Sequence, residues 1–381
     1  MDKLLIFNTK YKKHGGEDSN IQDELKFYKN YYDVSYFEVK NSKFNLYSIL
    51  SLLVSNNFEI NRKLSKELKT FKPKYVYVHN TWFNAGLGVF RIFSNQNIVP
   101  IVKIHNFRFE CGRYFLIKNH IKSKSNCNMC SKEYKSNLFL NKYFKSSYIK
   151  SFFLILYSKR YFQILKDSNI KIVCLNNFQK QYLIKLGISK TKIHILENPI
   201  SIPSKLPLYN HGSKYVIYAG ILEDSKGVYE LCNSWKKVNS DMNLYIVGTG
   251  SQKNTLENKY DFPNIKFLGF LSNKETIELI KNARAVVTAT KMYEVQPRLL
   301  NEASANSIPS IYPSFGGMDE YFPKDYELNF KQYNYDSLSK KIEILSDEKK
   351  LQKISAEVSK FIIEKLSPNS IRKKFEIISN L

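Results

Sequence analysis

Residues 285–303 have the sequence AVVTATKMYEVQPRLLNEA. The apolar, β-branched start of this stretch predicts a buried strand over Ala285–Thr288, and Pro297 stands where a helix can begin. A second short strand is predicted over Ile308–Tyr312, and Gly316-Gly317 follow it. A strand, a polar loop, a proline-started helix, a strand and a glycine loop, in this order, are typical of a ligand site at the carboxyl edge of a parallel sheet.

Two carboxylates of this stretch stand eight positions apart, Glu294 on the predicted loop and Glu302 within the predicted helix. In these unequal settings the two acids could hold different parts of a polyhydroxylated ligand, because a carboxylate accepts hydrogen bonds from paired hydroxyls. The alternative for Glu302 is a solvated helix face. Its apolar neighbours Leu299, Leu300 and Ala303 weaken that alternative.

Outward from this stretch, short apolar strands alternate with amphipathic helical segments, which is the pattern of a doubly wound α/β fold with parallel sheets. The other predicted strands are Leu4–Asn8, Val34–Glu38, Tyr75–His79, Val99–Ile104, Ile172–Leu175, Tyr215–Ala219, Leu244–Val247 and Ile265–Leu268. Helices are predicted over Asn20–Tyr31, around Leu64–Thr70 and over Ile371–Leu381.

The pattern restarts near Lys214, after segment 198–207, whose three prolines indicate a linker. A length of 381 residues also favours two domains. We therefore expect α/β domains over 1–200 and 201–362, and a C-terminal helical segment over 363–381 that could cross back to the first domain. Two sheets with facing carboxyl edges would form a cleft where a nucleotide and a second substrate meet.

The composition favours an anionic partner, because 59 Lys and Arg against 34 Asp and Glu give a net charge of +25. Nucleic acid, anionic lipid and phosphorylated substrates all fit that charge. The amino terminus is too short and wrongly flanked for a secretory signal. No apolar run reaches the ~18 residues of a membrane span. Five cysteines, an odd and low count, predict a reducing compartment without a disulfide framework.

Three glycine loops follow predicted strands: His14-Gly15-Gly16, the loop from Gly220 to Lys226-Gly227, and Gly248-Thr249-Gly250. Glycines let backbone N–H groups approach a phosphate at a helix start, and a lysine before a glycine suits a diphosphate. Taken alone, the loops at Gly15-Gly16 and Gly248 could be plain tight turns, and Lys226 is better explained as an exposed turn lysine.

Two histidines end predicted strands. His105 could donate to a sugar hydroxyl or orient a leaving phosphate if it faces a cleft, and is otherwise a structural histidine. His79 is better explained by packing or hydrogen bonding.

Cysteine spacing gives candidates for a zinc ion, although no metal is predicted as required. Cys127 and Cys130 have knuckle spacing, with Cys111 and His120 upstream. Surface thiols in a loop are the alternative. Segment 134–166 interleaves lysines with aromatic residues, which suits an anionic membrane surface or RNA. A helix with a core stripe and a solvated basic face explains it equally well.

The chain resembles the retaining glycosyltransferases of family four, which have the two-Rossmann GT-B architecture. Glu294 to Glu302 is similar to the family's Glu-seven-residues-Glu signature, in a Glu-x-Gln-Pro variant. Looser matches in the family's order are His14–Gly16, His79-Asn80, His105–Arg108, Leu175–Phe178, Glu197–Pro199, Lys226-Gly227, Gly248–Gly250 and Gly269–Ser272.

The resemblance implies that Glu302 holds the ribose of a nucleotide-sugar and Glu294 the hydroxyls of the donor sugar. It implies that Lys226 meets the diphosphate and that His105 contacts the donor sugar near the reacting carbon, so that His105 and Glu294 are the catalytic pair. The further donor-binding residues that it implies are Gly16, Gly220, Gly248, Gln296, Pro297, Arg298 and Leu299.

Two departures from the family stand out. Ile221 follows Gly220 where an arginine is expected, so one diphosphate cation is missing. Tyr143 stands where a subgroup of the family has a further cysteine, which makes a zinc site less secure.

The implied function is transfer of a hexose from a nucleotide diphosphate sugar to a glycan or polyprenyl-linked acceptor, in the synthesis of surface polysaccharide such as lipopolysaccharide. The donor is a substrate, and no cofactor or nucleic acid is expected. We expect a cytoplasmic protein, peripheral at the anionic inner face of the cytoplasmic membrane. A basic nucleic-acid-binding protein with a zinc knuckle, or an inactive partner subunit, is the alternative.

Overall fold

The structure is a computed structural model that describes residues 1–10, 16–41, 54–111, 148–203, 209, 212–238 and 241–381. The chain divides into two compact units. Unit 1 holds Met1–Pro199 and Ile371–Leu381, and unit 2 holds Ile200–Ser370. No helix of the described residues is long and apolar enough to cross a membrane.

Strands and helices alternate along both units. In chain order, the strands of the described residues are β1 (Lys3–Lys10), β2 (Asp33–Lys40), β3 (Tyr75–Asn80), β4 (Ile101–Lys103), β5 (Lys171–Cys174), β6 (Ile193–Ile195), β7 (Tyr215–Ala219), β8 (Asn243–Val247), β9 (Ile265–Gly269), β10 (Ala285–Val287), β11 (Ser310–Ser314) and β12 (Asn329–Lys331). Their helices are α1 (Gly16–Lys29), α2 (Phe58–Phe71), α3 (Gly88–Asn95), α4 (Tyr148–Asp167), α5 (Asn177–Lys185), α6 (Val228–Trp235), α7 (Lys253–Lys259), α8 (Asn273–Lys281), α9 (Arg298–Ala305), α10 (Tyr335–Glu343), α11 (Glu348–Leu366) and α12 (Pro368–Asn380).

Unit 1 is built on a parallel sheet with the strand order β2-β1-β3-β4-β5-β6. Residues 4–7 of β1 are fully buried, as expected for a central strand of a parallel sheet covered on both faces. The ring of Phe375 in α12 lies 4.7 Å from that of Tyr28 and 5.4 Å from that of Tyr77. These aromatic contacts pack the end of the chain against unit 1.

Unit 2 is built on a second parallel sheet, with the order β12-β11-β10-β7-β8-β9. From β7 the chain adds β8 and β9 on one side, and then returns to add β10, β11 and β12 on the other. The strand order therefore reverses between β7 and β10. The carboxyl ends of the strands at such a switch point are where ligands bind in open α/β sheets. The predicted α/β class with parallel sheets is confirmed in both units.

Element boundaries differ from the predictions where local chemistry intervenes. Helix α1 begins at Gly16 rather than at the predicted Asn20, because short polar side chains are favoured in the first turn of a helix. Strand β11 begins at Ser310 rather than at Ile308, since Pro309 has no N–H to donate. The short edge strands β6 and β12 were not predicted.

Candidate functional site

The switch point of unit 2 brings together two loops. The loop after β7 contains Gly220 and the 3-10 turn Asp224–Lys226, and the loop after β10 contains Glu294. Since β7 and β10 are neighbouring parallel strands, both loops leave the same edge of the sheet.

An ion pair joins the two loops. Lys226 Nζ donates to Glu294 Oε1 at 2.5 Å, and the two side chains keep 26% and 28% of their surface exposed. A second lysine reinforces this geometry, because Lys291 Nζ contacts Asp224 Oδ1 at 2.7 Å and Glu230 Oε1 at 2.6 Å. Lys226 and Glu294 are therefore held together at the carboxyl edge of the sheet, between β7 and β10, and remain accessible to solvent.

Gly227 makes the approach of these loops possible. Its φ of +69° lies in the left-handed region that favours glycine. A Cβ at this position would lie 1.9 Å from the carbonyl oxygen of Ala289, in the loop after β10. The two backbones thus touch where only glycine fits, one residue after Lys226.

A second close approach joins the loops after β7 and β8. A Cβ on Gly248, whose φ is +139°, would lie 1.9 Å from the carbonyl oxygen of Gly220. The amide of Leu222 donates to Thr249 O at 2.9 Å. The glycines that were predicted to approach a ligand therefore also approach each other.

Helix α9 starts directly after Pro297, as predicted, and carries Glu302 inward. Glu302 is only 6% exposed and lies beside the buried Leu300 and Ala303, so its side chain is not on a solvated face. Its Oε1 accepts a hydrogen bond from Arg298 Nε at 2.8 Å, one helical turn away. A carboxylate held by a guanidinium in this way keeps its second oxygen as a hydrogen-bond acceptor.

The start of α9 is favourable for an anion. The first intrahelical bond runs from Asn301 N–H to Pro297 O at 3.0 Å, so the earlier amides of the turn have no partner within the helix. Such a helix end carries partial positive charge. Gln296 is buried just before the helix, and Leu299 is partly exposed on its first turn.

Ile221 lies on the surface of the same region. Its side chain is 55% exposed, and its carbonyl accepts a hydrogen bond from the Tyr218 hydroxyl at 3.1 Å. The position where the resemblance leads us to expect an arginine therefore offers no charge.

Unit 1 carries a separate polar cluster at the ends of β3 and β4. His79 Nδ1 lies 2.9 Å from His105 Nε2, and His79 Nε2 lies 3.1 Å from Glu24 Oε2 of α1. Lys103 Nζ donates to Glu24 Oε1. The side chains of His79, Glu24 and Lys103 are fully buried.

Burial sets the protonation of this cluster. It lowers the pKa of both His79 and His105 well below the usual value, so both rings are neutral. It also raises the pKa of Glu24, an effect that the Lys103 ammonium opposes, and lowers the pKa of Lys103, which Glu24 opposes.

The remaining predicted site residues are only partly described. Gly16 is the first residue of α1 and not a loop glycine, while His14 and Gly15 lie outside the described residues. The zinc candidates His120, Cys127 and Cys130, with Tyr143, also lie outside them, and Cys111 is buried.

The described half of the basic-aromatic segment forms α4. Tyr157 and Tyr161 are buried, and the Tyr157 ring lies 4.4 Å from that of Trp82. These two rings belong to the core stripe that was one interpretation of the segment.

Sequence reasoning missed the ion pair between Lys226 and Glu294 and the participation of Glu24 and Lys103. One signal was available for the second, because Lys103 is a charged residue inside the predicted apolar strand Val99–Ile104. A charge at such a position requires a buried partner.

Residues 205–361 match the sequence model of the family described as glycosyl transferases group 1. No curated protein matches the chain in sequence. The fold is similar to that of sucrose-phosphate synthase from Thermosynechococcus elongatus, with 12% identity and a TM-score of 0.71 over 100% of this chain and 98% of that chain.

It is also similar to Anabaena HepE in complex with UDP-glucose, with 12% identity and a TM-score of 0.67 over 100% of both chains. The lipopolysaccharide outer core galactosyltransferase WaaB, in its apo form, has 15% identity and a TM-score of 0.65 over 100% of both chains. At these identities the similarity establishes the fold, and the GT-B fold expected from the sequence is confirmed.

Proposed function

We propose that the chain is a retaining glycosyltransferase that moves a hexose from a nucleotide diphosphate sugar to an acceptor hydroxyl. The observation that carries this proposal is the convergence of Lys226 and Glu294 at 2.5 Å at the switch point, where α9 begins and leads to the buried Glu302. The match of residues 205–361 to the glycosyl transferases group 1 model supports glycosyl transfer by this unit.

The diphosphate of the donor would replace Glu294 as the partner of Lys226. The backbone amide of Gln296, and those of Arg298 and Leu299 at the start of α9, would add anion contacts. Gly220 and Gly248 would allow the backbone to approach the phosphates closely. These groups would stabilise the negative charge that develops on the leaving diphosphate.

The two carboxylates would divide the rest of the donor. Glu302, held by Arg298 at 2.8 Å, would accept hydrogen bonds from the ribose hydroxyls. Glu294, once released from Lys226, would orient the hydroxyls of the hexose. The complex of HepE with UDP-glucose is a structure of the same fold with such a donor, which favours a nucleotide-sugar here.

Retention would follow from attack on the same face as the departing group. The bond between the anomeric carbon and the diphosphate oxygen breaks, and a bond to the acceptor oxygen forms on that face. The acceptor proton passes to the leaving diphosphate. Glu294 is assigned to orientation in this scheme, because its partner Lys226 marks it as a group beside the phosphates.

The acceptor side of the proposal is broader. We propose a glycan or polyprenyl-linked acceptor in surface polysaccharide synthesis, with residues 1–200 and 363–381 on the acceptor side and 201–362 on the donor side. The net charge of +25 supports peripheral association with the anionic inner face of the cytoplasmic membrane. WaaB, named as a lipopolysaccharide galactosyltransferase, has the same fold.

Thermal-shift screening with UDP-, GDP- and ADP-sugars tests the donor site. A donor at a free concentration of 100 times its Kd stabilises the folded state by about 2.7 kcal/mol. The correct nucleotide-sugar should therefore raise Tm. Glu302→Ala should abolish the rise, while Glu278→Ala, on the exposed surface of α8, should leave it unchanged. An undiminished shift in Glu302→Ala would remove Glu302 from the donor site.

A further inference from the structure

Lys291, in the loop after β10, is bonded twice to the turn that carries Lys226. Its backbone N–H donates to Ser225 O at 2.9 Å, and its Nζ donates to Asp224 Oδ1 at 2.7 Å. Ser225 and Asp224 are the two residues that precede Lys226 in the 3-10 turn Asp224–Lys226. One residue of the β10 loop therefore holds this turn through both its main chain and its side chain.

The side chain of Lys291 also reaches the first turn of α6, where its Nζ lies 2.6 Å from Glu230 Oε1. It is only 14% exposed. Burial lowers the pKa of Lys291, but the hydrogen bonds to Asp224 and Glu230 outweigh this effect and raise the pKa above its ordinary value. The ammonium therefore stays charged, and its contacts with both acids are charge-assisted.

These contacts do not depend on the ion pair between Lys226 and Glu294. That pair must open when a diphosphate takes Lys226, and the link that it provides between the two loops is then lost. The bonds of Lys291 to Ser225, Asp224 and Glu230 involve neither member of the pair. Lysine has a flexible four-carbon stem, so the place that its ammonium reaches depends on where its backbone is held.

We propose that Lys291 is a positioning residue of the donor site, which holds the turn Asp224–Lys226 so that Lys226 still reaches the diphosphate after Glu294 has released it. Lys291 acts through Lys226 and does not touch the donor, since its ammonium is already shared between two carboxylates. The role of Lys226 rests on the proposed function, whereas the hold on the turn rests on the contacts of this chain.

A double-mutant cycle tests whether Lys291 acts through Lys226. Isothermal titration of UDP is measured with the full chain, Lys291→Met, Lys226→Met and the double variant. We expect Lys291→Met to weaken UDP binding by roughly fivefold, within the range of coupling in one charge network, and the double variant to bind no more weakly than Lys226→Met. Additive losses would overturn the proposal, because Lys291 would then act on UDP independently of Lys226. An unchanged affinity in Lys291→Met would also overturn it.

Matched variants separate the hold on the turn from a general loss of structure. Lys291→Arg keeps a cation that can contact both carboxylates, so most of the UDP affinity should return. Lys350→Met breaks an ion pair with Glu327 at 2.5 Å elsewhere in unit 2, and its affinity should equal that of the wild type. Equal losses with arginine and methionine at 291 would show that the charge does not hold the turn. If Lys291→Met fails to fold, Asp224→Asn replaces it in the cycle, since the Asp224 side chain is 74% exposed.

Hydrogen exchange on the ligand-free chain tests the hold without any donor. The amides of Lys226 and Gly227 donate within the turn, to Glu223 O and Asp224 O. We expect both to exchange faster in Lys291→Met and at the wild-type rate in Glu294→Gln; faster exchange only in Glu294→Gln would assign the hold to the ion pair instead. Absence of UDP binding by the wild type would reject the proposed function and with it the donor role of Lys291, while the exchange rates would still decide the hold on the turn.

Discussion

Lys226 and Glu294 satisfy each other's charge at a separation of 2.5 Å. About a quarter of each side chain is exposed, so solvent screens the pair and its contribution to stability is modest. A diphosphate brings two or more negative charges and competes favourably for the lysine. The pair can therefore open without a large loss of stability.

Glu294→Gln and Lys226→Met should separate the two roles of the pair. Glutamine at 294 releases Lys226, so UDP without a sugar should bind as tightly as to the wild type or more tightly, while the transfer rate falls by at least tenfold. Methionine at 226 removes the cation, and UDP affinity should fall by roughly tenfold, which is 1.4 kcal/mol. Isothermal titration calorimetry measures both.

The control for this pair is Lys237→Met, which breaks an exposed ion pair with Asp336 at 2.8 Å elsewhere in unit 2. Its UDP affinity should match the wild type. Weaker UDP binding in Glu294→Gln than in Lys226→Met would mean that Glu294, and not Lys226, meets the phosphates.

We propose that Arg298 supplies the positive charge that the family resemblance leads us to expect at position 221. It starts α9 and holds Glu302 at 2.8 Å. Arg298→Lys keeps the charge but loses the planar guanidinium. We expect Arg298→Ala to weaken UDP binding more than Arg298→Lys, measured by the same titration, and an equal loss in both would assign Arg298 to holding Glu302 alone.

At the scale of elements, the loops after β7 and β10 depend on glycine for their close approach. Gly227 and Gly269 have nearly equal φ values, +69° and +70°, but a Cβ at Gly227 would meet Ala289 O at 1.9 Å and one at Gly269 would meet nothing within 4 Å. Alanine at 269 should cost about 1 kcal/mol of backbone strain.

Gly227→Ala should lower the free energy of unfolding more than Gly269→Ala does, by about 3 kcal/mol or above, because backbone strain and a backbone clash combine. Urea unfolding of the two variants measures the difference. Gly227→Ala should also lose donor-induced stabilisation, since the shift of the loop moves Lys226. Equal destabilisation by the two substitutions would mean that the loops relax apart freely.

Much of this architecture could be predicted from local patterns. The apolar run at Ala285, the proline at 297 and the apolar neighbours of Glu302 all lie within the single stretch 285–303, and α9 begins where Pro297 indicates. The pairing of Lys226 with Glu294 spans 68 positions. It depends on the strand order that makes β7 and β10 neighbours, which local periodicity does not contain.

The cluster of unit 1 shows the same limit. His79 and His105 could be expected near each other, because adjacent parallel strands end at one edge of a sheet. Glu24 comes from a helix, and the face that α1 turns toward the sheet is decided by packing across the whole unit. Boundaries at Pro100 and Pro309 were misplaced because proline lacks the N–H of a strand ladder.

At the scale of the whole molecule, each unit has its own tryptophan. Trp82 lies in unit 1 and Trp235 in unit 2, both buried, and the sequence has no others. Trp235→Phe therefore leaves a fluorescence reporter of unit 1, and Trp82→Phe one of unit 2. Nucleotide-sugar should raise the melting temperature that Trp235 fluorescence reports in Trp82→Phe. A rise reported only by Trp82 fluorescence, in Trp235→Phe, would place the donor in unit 1.

Lowering the pH should destabilise unit 1 before it destabilises unit 2. Burial lowers the pKa of His79, His105 and His194, all in unit 1, whereas histidine in an unfolded chain has a pKa of about 6.5. Below that value the unfolded chain binds more protons than the folded one, so stability is present above about pH 6.5 and falls as pH falls. The fully buried His79 and His105 each contribute a slope of up to about 1.4 kcal/mol per pH unit, and the half-buried His194 contributes less because solvent screens it.

Melting of the Trp235→Phe reporter between pH 8 and pH 5.5 measures this slope. Adding His79→Gln to this reporter removes one of the three histidines, so its melting temperature should depend less steeply on pH. Glu24, whose pKa burial raises, is present with and without this substitution and therefore does not account for the difference. The Trp82→Phe reporter should change little, because unit 2 has His211 as its one histidine. A unit 1 transition that stays flat over this range, or one that the substitution does not change, would mean that His79 is protonated in the folded protein.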